Sequence, residues 1–217
     1  MIISHKYKFI FLKTVKTAGT SIEISLSRYC GENDIITPIS PVDEKIRAKF
    51  GKYPQNYKVD GKKISKHASA RKIKDLVGEE IWNTYYKFCF DRNPWDKLIS
   101  SYYYFVKNPK KVSFDKFLKE GGYNRAHNFH KYTTNNEPVV NYLGKYENLE
   151  SDLKFICEQI GLPWDGWLPK AKGNFRKNKK HYSTHYNDQQ KENVQKYFKK
   201  EIDLLGYKFQ KPQTERE

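Results

Sequence analysis

The sixteen residues Lys8-Phe9-Ile10-Phe11-Leu12-Lys13-Thr14-Val15-Lys16-Thr17-Ala18-Gly19-Thr20-Ser21-Ile22-Glu23 limit the fold more than any other stretch of the chain. Lys8–Leu12 is a compact aromatic and aliphatic run bounded by polar residues, the pattern of a short buried strand. Thr20-Ser21-Ile22-Glu23 has the S/T-x-x-E form of a capping box, and Ile22 and Leu26 fall four apart on one face of the helix it opens. The sequence therefore predicts a strand, a loop and a helix in direct succession. Backbone amides at a helix N-terminus favour anions, and Lys16, Thr17, Thr20 and Ser21 surround this one with an ammonium and hydroxyls.

A second unit of the same kind follows. Ser69 is placed to cap a helix with apolar positions Ile73, Leu76 and Val77, and Tyr86–Phe90 reads as another buried strand. Arg92 comes at its carboxyl end, and Pro94 suits the first turn of the next helix. Ser100 lies about two turns in, where a hydroxyl can join Arg92 on one phosphate. Farther on, Val140–Tyr146 reads as a strand, and Leu149, Leu153, Ile156 and Ile160 mark the apolar face of a helix ended by Gly161 and Pro163. A last helix runs from Asp188 to Leu205 and stops at Gly206. Residues 31–66, rich in Gly, Pro, Asn and Lys, are expected to be an irregular excursion.

Strands alternating with helices imply an α/β fold of the P-loop type, with three layers and a central parallel sheet flanked by helices. Ligands of such sheets bind beyond the carboxyl ends of the strands. The 217 residues suit one domain, taken as 1–210, with 211–217 a frayed tail. The net charge of +16 favours polyanionic partners. Cys30, Cys89 and Cys157 are odd in number and lack ligand spacing, so no zinc site or disulfide framework is indicated. The N-terminal residues are too polar for a signal peptide, and no run approaches the roughly 20 apolar residues of a membrane span. The expectation is a soluble, cytoplasmic protein.

In an ATP or GTP P-loop, GxxxxGK[ST] places Lys and Ser/Thr last, with the hydroxyl on magnesium. Here Lys16 precedes Gly19 and the first glycine of the signature is missing. Lys16-Thr17-Ala18-Gly19-Thr20-Ser21 instead resembles the 5'-phosphosulfate loop of the sulfotransferases that use 3'-phosphoadenosine 5'-phosphosulfate (PAPS). Arg92-Asn93-Pro94-Trp95-Asp96-Lys97-Leu98-Ile99-Ser100-Ser101-Tyr102 resembles the 3'-phosphate motif of the same family. The likeness covers most of residues 8–208 and is nearest to the heparan sulfate 2-O-sulfotransferase-like carbohydrate branch. It is weakest over 31–62 and 107–138, where an acceptor pocket is expected to vary.

The resemblance implies PAPS as co-substrate, released as adenosine 3',5'-bisphosphate, with no metal required. Lys16 would meet the bridging oxygen as the bisphosphate leaves. Thr17, Ala18, Gly19, Thr20 and Ser21 would hold the 5'-phosphate, and Arg92 with Ser100 the 3'-phosphate. His67 is the expected general base, since an imidazole titrates near working pH and the 2-O-sulfotransferase branch carries a catalytic histidine in a similar place. His127, His130, His181 and His185 compete with it. Glu23 is read as structural through its capping box. Arg176, Lys177, Lys179 and Tyr182, in a late basic stretch, are candidates to close over the 3'-phosphate. The cluster of Trp95 and Tyr102–Phe105 is expected to be mostly core.

The partner is then a hydroxyl-bearing acceptor, a glycan or glycoconjugate, with no nucleic acid and no membrane span expected. Two rival classes fit parts of the sequence. A nucleotide kinase with an altered P-loop would need magnesium and ATP. A nucleic-acid-binding module would use the charge and the many tyrosines, but leaves two ordered phosphate loops unexplained.

Overall fold

Ile2–Ser4, too short a run to declare itself in the sequence, forms the first strand (β1) of a five-stranded sheet. The computed structural model of the protein describes residues 1–59, 61–106, 109, 111–171 and 180–211. After β1 come β2 (Phe9–Phe11), α1 (Gly19–Ser27), β3 (Ile35–Ile36), α2 (Pro41–Ala48) and a small hairpin of β4 (Lys58–Val59) and β5 (Lys62–Lys63). Then follow α3 (Ala70–Thr84), β6 (Tyr86–Asp91), α4 (Pro94–Phe105), the short helices α5 (Phe114–Phe117), α6 (Tyr123–Ala126) and α7 (Phe129–Tyr132), and a hairpin of β7 (Thr133–Thr134) and β8 (Glu137–Pro138). The chain continues through β9 (Tyr142–Lys145), α8 (Leu149–Gln159), α9 (Asp188–Tyr197) and α10 (Lys199–Leu205). Two compact units result, residues 1–91 with 130–171 and residues 92–129 with 172–217.

The first unit holds the sheet, in the order β3-β1-β2-β6-β9. β2, β6 and β9 are parallel, and β1 pairs antiparallel with both β2 and β3. β1 therefore runs against the other four strands, and the sheet is mostly parallel rather than wholly so. The antiparallel pairing of β1 with β2 follows from the short link between them, because a parallel neighbour would need a crossover of a dozen or more residues. Phe9, Phe11, Phe88 and Phe90 share one face by strand alternation and pack with Ile22 and Leu26 of α1 and with Leu153, Ile156 and Cys157 of α8. Ile3, Ile10 and Cys89, which alternate to the opposite face, are fully buried too, so both faces of the sheet are covered.

Residues 31–66 are more ordered than their composition suggests. Ser40 caps α2 by accepting from the Asp43 amide at 3.4 Å, Pro41 occupies the first turn, and Asp43 and Glu44 sit where the helix dipole favours acids. Arg47, at the other end of α2, is fully buried and donates to the Thr37 carbonyl at 3.3 Å. A long side chain drawn into the core holds this helix down, which no local pattern reveals.

In the second unit, Asn93 caps α4 by accepting from the Trp95 amide at 3.2 Å, and its side-chain amide donates to the Lys208 carbonyl at 3.0 Å. Trp95 and Tyr102 are buried, as expected for core, whereas Phe105 is 45% exposed. Lys97 of α4 and Glu201 of α10 form an ion pair of 2.7 Å with both side chains essentially inaccessible. The other oxygen of Glu201 accepts from the amides of Asn128 and Phe129, so the buried carboxylate is fully engaged. The single C-terminal helix expected from Asp188 to Leu205 is two helices. Its chain leaves helical geometry at Phe198, whose ring is buried with the Lys97 ammonium 5.2 Å from its centroid.

Candidate functional site

In the first unit, the loop between β2 and α1 leaves the sheet in register. The Leu12 amide donates to the Phe88 carbonyl at 2.9 Å, and the Thr14 hydroxyl donates to the Phe90 carbonyl. Lys16 and Ala18 then adopt left-handed conformations, with φ of 63° and 57°. Neither is glycine, so each costs on the order of 1 kcal/mol and is held by its surroundings, the kind of local strain that gathers at functional loops. Thr17, between them, is buried with its hydroxyl 2.7 Å from that of Thr14.

The capping box expected at Thr20 and Glu23 is not formed. Ala18 is the N-cap, no side chain caps the helix, and the first helical bond runs from the Ile22 amide to the Ala18 carbonyl at 3.1 Å. The amides of Gly19, Thr20 and Ser21 lie ahead of the helical ladder, which is the arrangement that binds an anion. Ser21 accepts from the Ala171 amide at 3.2 Å through its hydroxyl oxygen.

Glu23 is instead drawn into the interior. Its carboxylate is fully buried, pairs with Lys13, lies 2.7 Å from the Met1 amino group and 3.6 Å from Arg47, and accepts from the Thr37 hydroxyl at 2.8 Å. Burial alone would raise its pKa, but the cations around it prevail and bring it down to about 2. Glu23 is structural, as expected, for a different reason. The pairing also separates the two lysines of the loop: Lys13 turns inward, and its stem crosses Gly19 so closely that a Cβ there would meet Lys13 Cγ at 2.8 Å. Close approach, not a positive φ, requires the loop's one glycine.

His67 stands against the same residue. Its Nδ1 is 2.9 Å from the Lys13 carbonyl oxygen. A carbonyl can only accept, so Nδ1 carries the hydrogen and Nε2 is left as the basic nitrogen. Desolvation by burial is the main cause that lowers the His67 pKa to about 4; the bond to Lys13 opposes it, while the charges of Lys13, Met1 and Lys131 reinforce it. The ring is neutral at neutral pH. Lys131, which sequence reasoning missed, donates to the His67 backbone carbonyl at 3.2 Å. It lies in the stretch expected to vary with acceptor, and nothing local marks it.

In the second unit, Arg92 directs Nε and Nη2 to Asp96 Oδ2 at 2.9 and 2.5 Å. The i, i+4 spacing of this pair is legible in the sequence. Ser100 lies one further turn along α4, half-buried. Tyr182 is buried and accepts from the Gln210 amide at 2.7 Å, with Phe209 edge-on at 5.6 Å. Arg176, Lys177 and Lys179 lie outside the described residues, as do residues 212–217 of the expected tail. Of the competing histidines, His127 packs against Tyr197 and Phe198, His181 pairs with the Ser183 hydroxyl at 2.8 Å, and His185 meets Tyr103 edge-on. His130, like His67, has its pKa lowered by burial. Among the described residues, no three His, Cys, Asp or Glu come together as a metal-binding group, and no helix is long and apolar enough to cross a membrane.

The chain shares 40% identity over 96 residues with an uncharacterized protein of Archaeoglobus fulgidus, a match covering 42% of this chain and 80% of the relative. No solved structure matches it. The sequence model of the Sulfotransferase family matches residues 1–208, across the loop, His67, Arg92 and Ser100, and the chain belongs to the sulfotransferase family.

Proposed function

We propose that the protein moves a sulfuryl group from PAPS to a hydroxyl of a carbohydrate, with His67 as general base. The observation that carries this reading is the uncapped N-terminus of α1, where the amides of Gly19, Thr20 and Ser21 precede the helical ladder beside the left-handed Lys16. A 5'-phosphate fits that cradle. Arg92, with its guanidinium oriented by Asp96, and Ser100 are assigned to the 3'-phosphate, the group that distinguishes PAPS from ATP. Arg176, Lys177, Lys179 and Tyr182 are assigned to the same phosphate. The family match crosses both units, and we read residues 1–210 as one catalytic domain.

His67 Nε2 takes the proton of the acceptor hydroxyl as its oxygen bonds to sulfur. The bond from sulfur to the 5'-phosphate oxygen breaks, and Lys16 meets the charge left on that oxygen. An Nδ1 locked on the Lys13 carbonyl keeps the ring in the tautomer this step needs. The acceptor contributes only its hydroxyl to the balance.

Calorimetry with adenosine 3',5'-bisphosphate, with ATP as comparator and EDTA present, tests the donor assignment. Selective bisphosphate binding that weakens in Lys16→Ala and Arg92→Ala is expected. No binding by the folded wild type, or binding of ATP with magnesium instead, would overturn it.

A further inference from the structure

We infer that residues 41–63 dock the protein on a bilayer surface rich in anionic lipid. The inference stands apart from the reading of the reaction. Eight large apolar side chains among the described residues are well exposed, and four of them, Val42, Phe50, Tyr53 and Val59, lie in this one segment. Scattered singly, such side chains are ordinary; close together they mark an interaction surface. The segment that carries them is pinned in place. Gln55 Nε2 donates to the Gly31 and Asp34 carbonyls at 2.7 and 2.9 Å, and Asn56 Nδ2 to the Glu32 carbonyl at 2.7 Å. Lys52 Nζ donates to the Cys30 carbonyl at 2.7 Å, and Trp167 meets Phe50 edge-on at 4.8 Å. A fixed scaffold therefore presents the exposed apolar groups.

The charge among them has one sign. Asp43 and Arg47 take the buried side of α2, so Val42, Lys45 and Lys49 follow one another, three and four apart, along its exposed side. In the hairpin of β4 and β5 every strand residue is exposed and three of the four are lysines, Lys58 standing directly opposite Lys63 and Lys62 opposite Val59. Like charges opposed across a two-stranded ribbon repel. Among the described residues no carboxylate pairs with these three lysines. Of the acids in the segment, Asp43 is buried, Glu44 pairs with Arg47 at 3.2 Å, and Asp60 lies outside the described residues. Lysines alone would suit any polyanion, but a nucleic acid or a glycan chain offers no hydrocarbon to Val42 and Val59. A bilayer offers both layers at once: ammonium groups stay among the headgroups on extended stems, valines reach the acyl boundary, and Tyr53 sits between. Each lysine at such a surface contributes about 1 kcal/mol.

The test is cosedimentation at physiological salt with vesicles of phosphatidylcholine alone and of equal parts phosphatidylcholine and phosphatidylglycerol. Wild type should bind the mixed vesicles at least about tenfold more tightly than the neutral ones. Lys58→Gln/Lys62→Gln/Lys63→Gln should lose about tenfold or more of that affinity. Val42→Ser/Tyr53→Ser, which keeps every charge, should lose about fivefold. All five positions are exposed, so thermal unfolding of both variants should match wild type. No binding to the mixed vesicles by wild type overturns the inference. Binding that the apolar variant leaves unchanged would assign the segment to polyanions in general and overturns it too. Binding retained by the lysine variant would place the contact elsewhere on a chain of net charge +16, with the same result.

Discussion

His67 Nδ1 and the carbonyl oxygen of Lys13 lie 2.9 Å apart, so the residue that anchors the phosphate-type loop also fixes the tautomer of the proposed base. Lys13 sends its side chain the other way, to buried Glu23. One residue thus joins the core, the loop and the base. Removing the imidazole should remove proton transfer without disturbing the loop amides: His67→Ala is expected to lose about 10²- to 10⁴-fold in kcat while binding adenosine 3',5'-bisphosphate as wild type does. Rate and calorimetry on the same preparation check it, and an unchanged kcat would sink the assignment. Because burial lowers the His67 pKa to about 4, the acidic limb of kcat/KM in the wild type should lie near pH 4, not near 6.5.

Glu23 balances more positive charge than it carries. Glu23→Gln leaves Lys13 buried without this carboxylate, while Arg47 keeps Glu44, and a loss of about 3–5 kcal/mol in urea denaturation is expected. The capping-box reading would predict about 1 kcal/mol, so the size of the loss separates the two roles.

Gly19→Ala tests the crossing of the loop by Lys13. The added methyl would meet Lys13 Cγ, and the stem cannot swing aside without pulling its ammonium from Glu23. Expected are a stability loss of about 1–3 kcal/mol and a weaker affinity for adenosine 3',5'-bisphosphate. Thermal unfolding and calorimetry read the two effects.

Arg92→Lys keeps the charge and removes the fork. The paired bonds to Asp96 show the guanidinium already oriented. Selectivity for adenosine 3',5'-bisphosphate over adenosine 5'-phosphate should fall about tenfold or more in the variant. Unchanged selectivity would remove Arg92 from the 3'-phosphate.

What could be read in advance was what is local. Phe9–Phe11, Tyr86–Phe90, Pro94 at a helix start and Gly206 past a helix end follow from short-range pattern and backbone preference, and the structure has them all. Glu23 was misread because its capping-box spacing is local while its partners, Arg47 and Thr37, come from a distant segment. The helix Pro41–Ala48 was passed over because its stability comes from burying Arg47, not from an apolar stripe. Lys131 reaches His67 across 64 residues of chain, a proximity that only the folded sheet and its crossovers create.

Burial of His67 also ties stability to pH. His67 has a folded-state pKa of about 4 against an ordinary value of 6.5, so the unfolded chain binds its proton first. Stability from the neutral ring is then fully present above about pH 6.5 and is lost as pH falls toward 4, up to about 3 kcal/mol in all. Glu23, lowered from 4.5 to about 2, contributes stability that is lost only below about pH 4.5. Urea denaturation at intervals from pH 7.5 to 4 should show a larger loss in wild type than in His67→Gln, which keeps the losses from the buried Met1 amino group and His130, with the difference between the two proteins constant down to about pH 6.5 and shrinking below it. A difference that stays constant from pH 7.5 to 4 would mean that His67 titrates alike in the folded and unfolded chain, and would remove the buried, neutral base from the mechanism.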